Sequence, residues 1–321
     1  MEKSPNPLRK VFRFILQCCW PPDPTNALYN QATDAFKNYQ SSNLPQDLQF
    51  ALDNFESALF ARRAAGAEHP QLAVTLINYA TALWARYKTT GRPDADLRQV
   101  IALNEEARTI WDQTSPRPNG YPILLTNLGN AYLEAYCRDR TSEVFQKAIS
   151  AYRTVREGET FGAQIRNVAL ARMGITLWTR CDLEKTSIRL DEGIDNLEEA
   201  LRIASESPMN DNILKALCLA SLANAYDVRF QRFKQPEDLT NAIRYGYSAR
   251  QSPQASRVER EATLYNLSRL LWERYQVGRD RADLNDAETI AKEAQGVVEN
   301  GELTAKIDGV LQAIQAEIQS S

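Results

Sequence analysis

Residues 125–136 read "LTNLGNAYLEAY", and the skeleton of this stretch recurs five more times along the chain. The six copies begin at residues 28, 76, 125, 170, 219 and 264, so successive copies are 45 to 49 residues apart. A period of this length is typical of repeat proteins, in which each repeat is one supersecondary unit. The 321-residue sequence therefore predicts a repeat array and not two ordinary globular domains.

The fifth residue of every copy is small, and the eighth is large and apolar in five of the six copies. The first, fourth or fifth, and eighth positions lie on one side of a helix, so each copy predicts an amphipathic helix. A small residue at a fixed place lets a neighbouring helix approach closely, as ridge-into-groove packing requires. The six small residues are Ala32, Ala80, Gly129, Gly174, Ala223 and Ser268.

A second helical pattern follows each copy, as in "DLRQVI" (96–101) and "DLTNAI" (238–243). Alanine stands ten residues after the second letter of this pattern in five copies, and Val155 stands there in the sixth. Turn-forming stretches such as "TTGRPD" and "KQPED" separate the two patterns. Each unit therefore predicts a helical hairpin, and stacked hairpins bury a face that one hairpin leaves exposed.

The predicted fold is an all-α solenoid of six hairpins, with a terminal segment at each end. Residues 1–24 form a basic amphipathic segment, and residues 301–321 carry an apolar stripe that predicts a helix capping the last hairpin. The predicted hairpins span about residues 25–69, 70–115, 116–160, 161–208, 209–253 and 254–300.

Arginine occupies the eleventh position in four copies, and three of these arginines precede an aspartate by nine or ten residues. We interpret these residues as ion pairs that join the two helices of one hairpin. The predicted pairs are Arg86–Asp96, Arg229–Asp238 and Arg274–Asp283. In the fourth copy Arg180 meets Arg189 at the equivalent place, so this hairpin requires a different arrangement.

The N-L-G-x-A-Y core of residues 127–132, with the alanine of the second helix, resembles the tetratricopeptide repeat (TPR). The stretch "AEHPQLAVTLINYATAL" (67–83) also resembles the repeats of kinesin light chains. The usual TPR unit has about 34 residues. The longer unit found here is similar to arrays in fungal and bacterial signalling proteins and in proteins with CHAT-type protease domains. The resemblance covers about residues 25–300. It implies a non-catalytic scaffold or adaptor that binds a peptide or a partner helix in a concave groove.

The resemblance places the third and sixth residues of the copies near this groove. Asparagine can donate to and accept from a peptide backbone, and arginine can bind a carboxylate, so the partner peptide could be acidic. The alternative is that the asparagines satisfy groups inside the array. The candidate groove residues are Asn78, Asn127, Asn130, Arg172, Asn224, Asn266 and Arg269.

Tryptophan occupies the ninth position of alternate copies, at Trp84, Trp178 and Trp272. These side chains either fill gaps between repeats or act as aromatic anchors for a bound chain, since tryptophan is common at interface hot spots. We favour the packing role and retain the three residues as groove candidates.

Composition and motifs argue against several other functions. The net charge of −3 argues against a nucleic-acid partner, whose binding surface is strongly basic. No Cys/His spacing predicts a metal site, no motif predicts a cofactor, and no catalytic signature occurs. We therefore predict no enzymatic activity. The alternative is an enzyme whose active site lies inside the concavity of the solenoid.

The segment "LRKVFRFILQCCW" (8–20) is too interrupted for a secretory signal, so we predict a cytoplasmic protein. Val11, Phe12, Ile15 and Leu16 can share one face of a helix. Cys18 and Cys19 are candidates for lipidation, and residues 8–19 could then contact a membrane, as in a membrane-tethered regulator. We favour the alternative, in which this segment packs on the first hairpin.

Overall fold

The structure is a computed structural model that describes residues 25–66, 69–207, 211–254, 257–298 and 301–320. Within these ranges the chain forms thirteen α-helices and no β-strand, which confirms the all-α prediction. The predicted N-terminal segment 1–24, with Cys18 and Cys19, lies outside the described residues.

The chain divides into two compact units at Arg166 and Asn167. The helices of the first unit are α1 (Asn26–Ser42), α2 (Pro45–Ala64), α3 (Leu72–Thr89), α4 (Asp94–Asp112), α5 (Tyr121–Asp139) and α6 (Ser142–Glu157). The two helices of each hairpin pack together, and adjacent hairpins are joined where α2 packs on α3 and α4 packs on α5.

The remaining helices are α7 (Ala163–Leu183), α8 (Leu190–Glu206), α9 (Asn212–Phe233), α10 (Pro236–Arg250), α11 (Arg257–Gly278), α12 (Arg281–Val297) and α13 (Gly301–Ser320). The second unit begins inside α7, and each of its helices from α8 to α12 packs on the next helix in sequence. Helix α13 contacts both α11 and α12, as expected of a helix that caps the last hairpin.

The small residue in the first helix of each hairpin is buried, as predicted. A Cβ atom on Gly129 would lie 2.5 Å from the ring of Tyr152 on α6. A Cβ atom on Gly174 would lie 2.7 Å from the backbone oxygen of Gly193 on α8. These two glycines therefore allow the helices of their hairpins to pack closer than any other residue would permit.

The three predicted Arg–Asp pairs are all present. Arg86 donates two hydrogen bonds to Asp96, of 2.9 and 2.7 Å, and the other two pairs have Nε–carboxylate distances of 2.9 and 2.8 Å. Each aspartate is buried in the first turn of the second helix, where the helix dipole also favours a negative charge. In the fourth hairpin, Arg180 instead pairs with Glu184, and Arg189 pairs with Glu192.

Adjacent hairpins are joined by a glutamate contact that the repeat pattern did not predict. Tyr87 Oη donates to Glu134 at 2.9 Å, and Lys88 and Arg92 form ion pairs with the same carboxylate at 3.0 and 2.9 Å. Burial alone would raise the pKa of Glu134, but Lys88 and its other partners lower the pKa below its ordinary value. In the second unit, Glu317 likewise accepts a hydrogen bond from Tyr275, at 2.8 Å.

We expect the Tyr87–Glu134 contact to make stability depend on pH in alkaline solution. Burial, and then the hydrogen bond to Glu134, raise the pKa of Tyr87 to about 12. In the unfolded chain this phenol ionises near pH 10, so its contribution to stability is complete below pH 10 and is lost as the pH rises from about 10 to 12. Urea unfolding measured between pH 8 and 11.5 should show a shallower alkaline loss for Tyr87→Phe than for the wild type. Equal slopes would contradict the assignment.

Candidate functional site

Three polar contacts join α9 to α11 in the second unit. Asn266 Nδ2 donates to Asn224 Oδ1 at 2.9 Å, and Gln231 Nε2 donates to Glu273 at 2.9 Å. On each helix the contacting residues are spaced i, i+3 and i+7, so they lie along one face. We call this set the polar seam. It consists of Asn224, Asp227 and Gln231 on α9, with Asn266, Arg269 and Glu273 on α11.

The middle contact of the polar seam balances the charge of a candidate groove arginine. Arg269 forms an ion pair with Asp227 and a second one with Glu273, at 3.2 Å. An arginine on this face can pair with an acidic neighbour or with a ligand carboxylate, and the structure provides two acidic neighbours. Arg269 is therefore part of the helix packing in this unit.

A cavity of about 140 Å³ lies between α9, α10 and α11, next to the Asn224–Asn266 contact. It opens to the surface, because Ala262 in its lining is exposed. Among the side chains that the structure describes, Glu259 is the one ionisable group in the lining, so these residues provide no pair of groups for general acid–base chemistry. The other lining residues are apolar or small and uncharged, and include Leu217, Ala220, Leu267 and Leu270.

Arg172 on α7 differs from Arg269, because it has no ion-pair partner among the described residues. Its side chain is half-buried, and its Nε atom is buried without a hydrogen-bond partner. Burial raises the pKa of the Cys218 thiol to about 12, against the opposing positive charge of Arg172. Arg172 therefore lies near Cys218, which follows the cavity residue Leu217 on α9. Its guanidinium group has donors available for a carboxylate.

Two of the three candidate tryptophans stack on tyrosines of their own units. Trp84 stacks on Tyr87 with ring centroids 5.3 Å apart, and Trp272 stacks on Tyr275 at 5.6 Å. Trp178 is half-buried, and its Nε1 atom is buried with no hydrogen-bond partner in the described part of the chain. Trp84 and Trp272 thus occupy the same place in their repeats, and each stacks on the tyrosine three residues later.

The candidate amides of the first unit differ in burial. Asn78 is 0% exposed, and its Nδ2 atom donates to Tyr29 Oη at 2.5 Å. Asn130 is half-buried and accepts a hydrogen bond from Tyr152 Oη at 2.8 Å, and Asn127 is half-buried on the same helix. In this unit the structure therefore places Asn78 inside the protein and leaves Asn127 and Asn130 partly accessible.

Sequence reasoning missed the cavity and three members of the polar seam, Asp227, Gln231 and Glu273. Their spacing, repeated in the fifth and sixth copies, was the signal that could have revealed them. Among the described residues, no group of three or more His, Cys, Asp or Glu side chains is placed to hold a metal ion. None of the helices in the described ranges has the length and apolar character that crossing a membrane requires.

Comparison with solved structures identifies the class of fold. One similar structure is the Q17M crystal structure of TPR-like repeats of a Podosopora anserina kinesin light chain. Its sequence is 17% identical to this chain, the match covers 72% of this chain and 100% of the other, and the TM-score is 0.50. A tetratricopeptide repeat protein from Parabacteroides merdae is 13% identical and covers 89% of this chain and 99% of its own, with a TM-score of 0.43. Yeast Tom70 is 12% identical and covers 96% of this chain and 70% of its own, with a TM-score of 0.40.

No family model matches the sequence, and no curated protein matches it. The kinesin light chain comparison and the repeated helical hairpins together show a TPR-like repeat fold. This result confirms the fold class indicated by the sequence motif.

Proposed function

We propose that this protein is a non-catalytic scaffold or adaptor that binds an extended segment of a partner protein on the surface formed by α9 and α11. The cavity beside the Asn224–Asn266 contact is the observation that carries this proposal. An apolar protein cavity of about 150 Å³ can hold a benzene-sized group. A cavity of about 140 Å³ therefore suits one branched aliphatic side chain of the partner.

The amides beside the cavity can bind the backbone of that segment. An asparagine side chain has two donors and an acceptor oxygen with two lone pairs. The contact between Asn266 and Asn224 uses one donor of the first and one lone pair of the second. Both residues are half-buried, so the remaining donors and acceptors are available to a peptide backbone that crosses the cavity.

Arg172 favours an acidic residue in the same segment. Its neighbour Cys218 lies on the helix that also contributes Leu217 and Ala220 to the cavity. A carboxylate a few residues from the aliphatic side chain would satisfy the guanidinium group. The free, buried thiols of Cys181 and Cys218 fit a reducing compartment, so we place this activity in the cytoplasm.

Selection from a library of displayed random peptides tests the proposal. Peptides that bind the wild type should be counter-selected on an Ala262→Phe variant, in which a large side chain fills the cavity mouth from an exposed position. The matched control is Ala305→Phe, at an exposed position on α13. We expect the retained peptides to share one Leu, Ile or Val residue, and to bind the control variant as they bind the wild type. Peptides that bind all three proteins equally would contradict a site at the cavity.

We expect Arg172 and Arg269 to respond differently to substitution. Arg172→Gln should weaken binding of an acidic selected peptide about tenfold or more, because a hydrogen bond to a charged group contributes about 1.5–3 kcal/mol. Arg172→Gln should leave the melting temperature nearly unchanged.

Arg269→Gln should lower the melting temperature, because Asp227 and Glu273 would lose their shared cation. Calorimetry and thermal unfolding measure the two effects. A loss of stability without a loss of binding in Arg172→Gln would contradict the proposed role of Arg172.

A further inference from the structure

Helix α2 exposes two large aromatic side chains, Phe50 and Phe60, with 53% and 77% of their surface accessible. The two residues are ten positions apart, which places them within about 80° of each other around the helix and about 15 Å apart along its axis. They lie away from the core face of α2, where Phe55 and Ala58 are fully buried. We call Phe50 and Phe60 the phenylalanine patch.

The other five hairpins show that repeat packing does not require these aromatic residues. Each of the five remaining copies has a polar residue, a charged residue or glycine at the two equivalent positions. The position of Phe50 is occupied in the other copies by Gln99, Lys147, Glu192, Asn241 and Asp286. The position of Phe60 is occupied by Thr109, Glu157, Arg202, Gln251 and Gly296. Exposed phenylalanine is unfavourable in water, and its presence at both positions in one hairpin alone is not explained by the packing of the repeats.

The charges beside the patch are negative. Asp53 and Glu56 are both exposed on α2 between the two phenylalanines. Arg63, at the end of the same helix, is occupied by an ion pair with Glu106. A basic amphipathic segment would therefore match this surface in both polarity and charge.

The chain enters the described structure at the end of α2 that carries Phe60, but on the opposite side of the helix. Thr25 Oγ1 accepts a hydrogen bond of 3.4 Å from Nε of the buried Arg62, which is two residues, or about 200° around the helix, beyond Phe60. Twenty-four residues precede this point, and residues 8–19 carry Val11, Phe12, Ile15 and Leu16 at helical spacing. Residues 20–24 can span up to about 16 Å when extended, which is enough to pass around a helix about 10 Å wide.

We propose that residues 8–19 of this chain dock on the phenylalanine patch of α2. The apolar side chains of the segment cover Phe50 and Phe60, and Arg9, Lys10 and Arg13 lie near Asp53 and Glu56. The attachment at Thr25 places the end of the segment near Phe60 and its start towards Phe50, so that it runs in the same direction as α2. This docking shields Cys18 and Cys19 from solvent. The proposal is independent of the partner site in the second unit.

Thiol labelling of the full-length chain tests the proposal. A maleimide reagent should modify Cys18 and Cys19 at least tenfold more slowly in the wild type than in a Phe50→Gln/Phe60→Thr variant. That variant introduces the residues that α4 carries at the same places, Gln99 and Thr109, so the hairpin should keep its fold. Mass spectrometry of the proteolytic peptides separates Cys18 and Cys19 from the other cysteines. Phe233→Gln changes an exposed phenylalanine outside the patch and should label like the wild type.

A charge-reversal variant, Asp53→Lys/Glu56→Lys, provides a second route that leaves both phenylalanines in place. It should increase the labelling rate several-fold, because the basic residues of the segment would then be repelled. Equal, rapid labelling of the wild type and both variants would overturn the proposal. Protection that appears only with phosphatidylcholine–phosphatidylserine vesicles would show a membrane contact instead. Protection that disappears on dilution would show docking on a second copy.

Discussion

Replacing Arg62 by alanine should lower the free energy of unfolding by about 3 kcal/mol or more, whereas Arg63→Ala should lower it by less than about 1 kcal/mol. Arg62 is 0% exposed and hydrogen-bonds to Thr75 and Asn26, and to Gln71 Oε1 at 2.6 Å. Its guanidinium carbon also lies 4.4 Å from the centre of the Tyr29 ring. Truncation would leave several buried polar atoms unsatisfied and a cavity among α1, α2 and α3.

The neighbouring arginine is a matched control for this prediction. Arg63 has the same chemistry and the same helix, but it is exposed and pairs with Glu106 at the surface. Exposed ion pairs contribute little to stability because water screens them. Urea unfolding of the two alanine variants should therefore give clearly different midpoints. Similar midpoints would show that the buried network around Arg62 does not hold the first hairpin to the second.

Gly174→Ala should destabilise the protein by about 2 kcal/mol or more, although alanine favours a helix over glycine by about 1 kcal/mol. The new Cβ atom would lie 2.7 Å from the backbone oxygen of Gly193 and 2.7 Å from Leu197 Cγ. A backbone atom cannot move aside as a flexible side chain can, so α8 would have to shift away from α7. Thermal or urea unfolding measures the loss.

Gly296→Ala is the matched control for the helix-propensity term. Gly296 lies in α12, and a Cβ atom there would have no neighbour within 4 Å. This substitution should leave stability unchanged or raise it by up to about 1 kcal/mol. An unchanged or higher stability in Gly174→Ala would contradict the close helix contact at this position.

The sequence predicted those features of the fold that recur in each copy. Gly129, Gly174 and the three Arg–Asp pairs make contacts inside one hairpin. Such contacts have a fixed separation along the chain and leave a visible period. The TPR-like motif then indicated how the hairpins stack.

Features that occur once left no such signal. Arg62 follows Phe55 and Leu59 on the core stripe of α2, but its polar partners come from α1 and α3, and the repeat pattern does not encode them. Asn78 and Asn224 occupy related places in their copies, yet Asn78 contacts a buried tyrosine and Asn224 lies beside the cavity. The cavity itself depends on the packing of three helices, which no single copy encodes.

The most direct test of the partner site is to locate a bound peptide on the protein. A selected peptide with photo-leucine at its aliphatic position should be crosslinked to the full-length chain, digested and analysed by mass spectrometry. We expect crosslinks within residues 217–224 and 259–270, the two ranges that contain most of the cavity lining, and we expect their loss in Ala262→Phe but not in Ala305→Phe. Crosslinks concentrated in the first unit, or unchanged by Ala262→Phe, would contradict a binding site between α9 and α11.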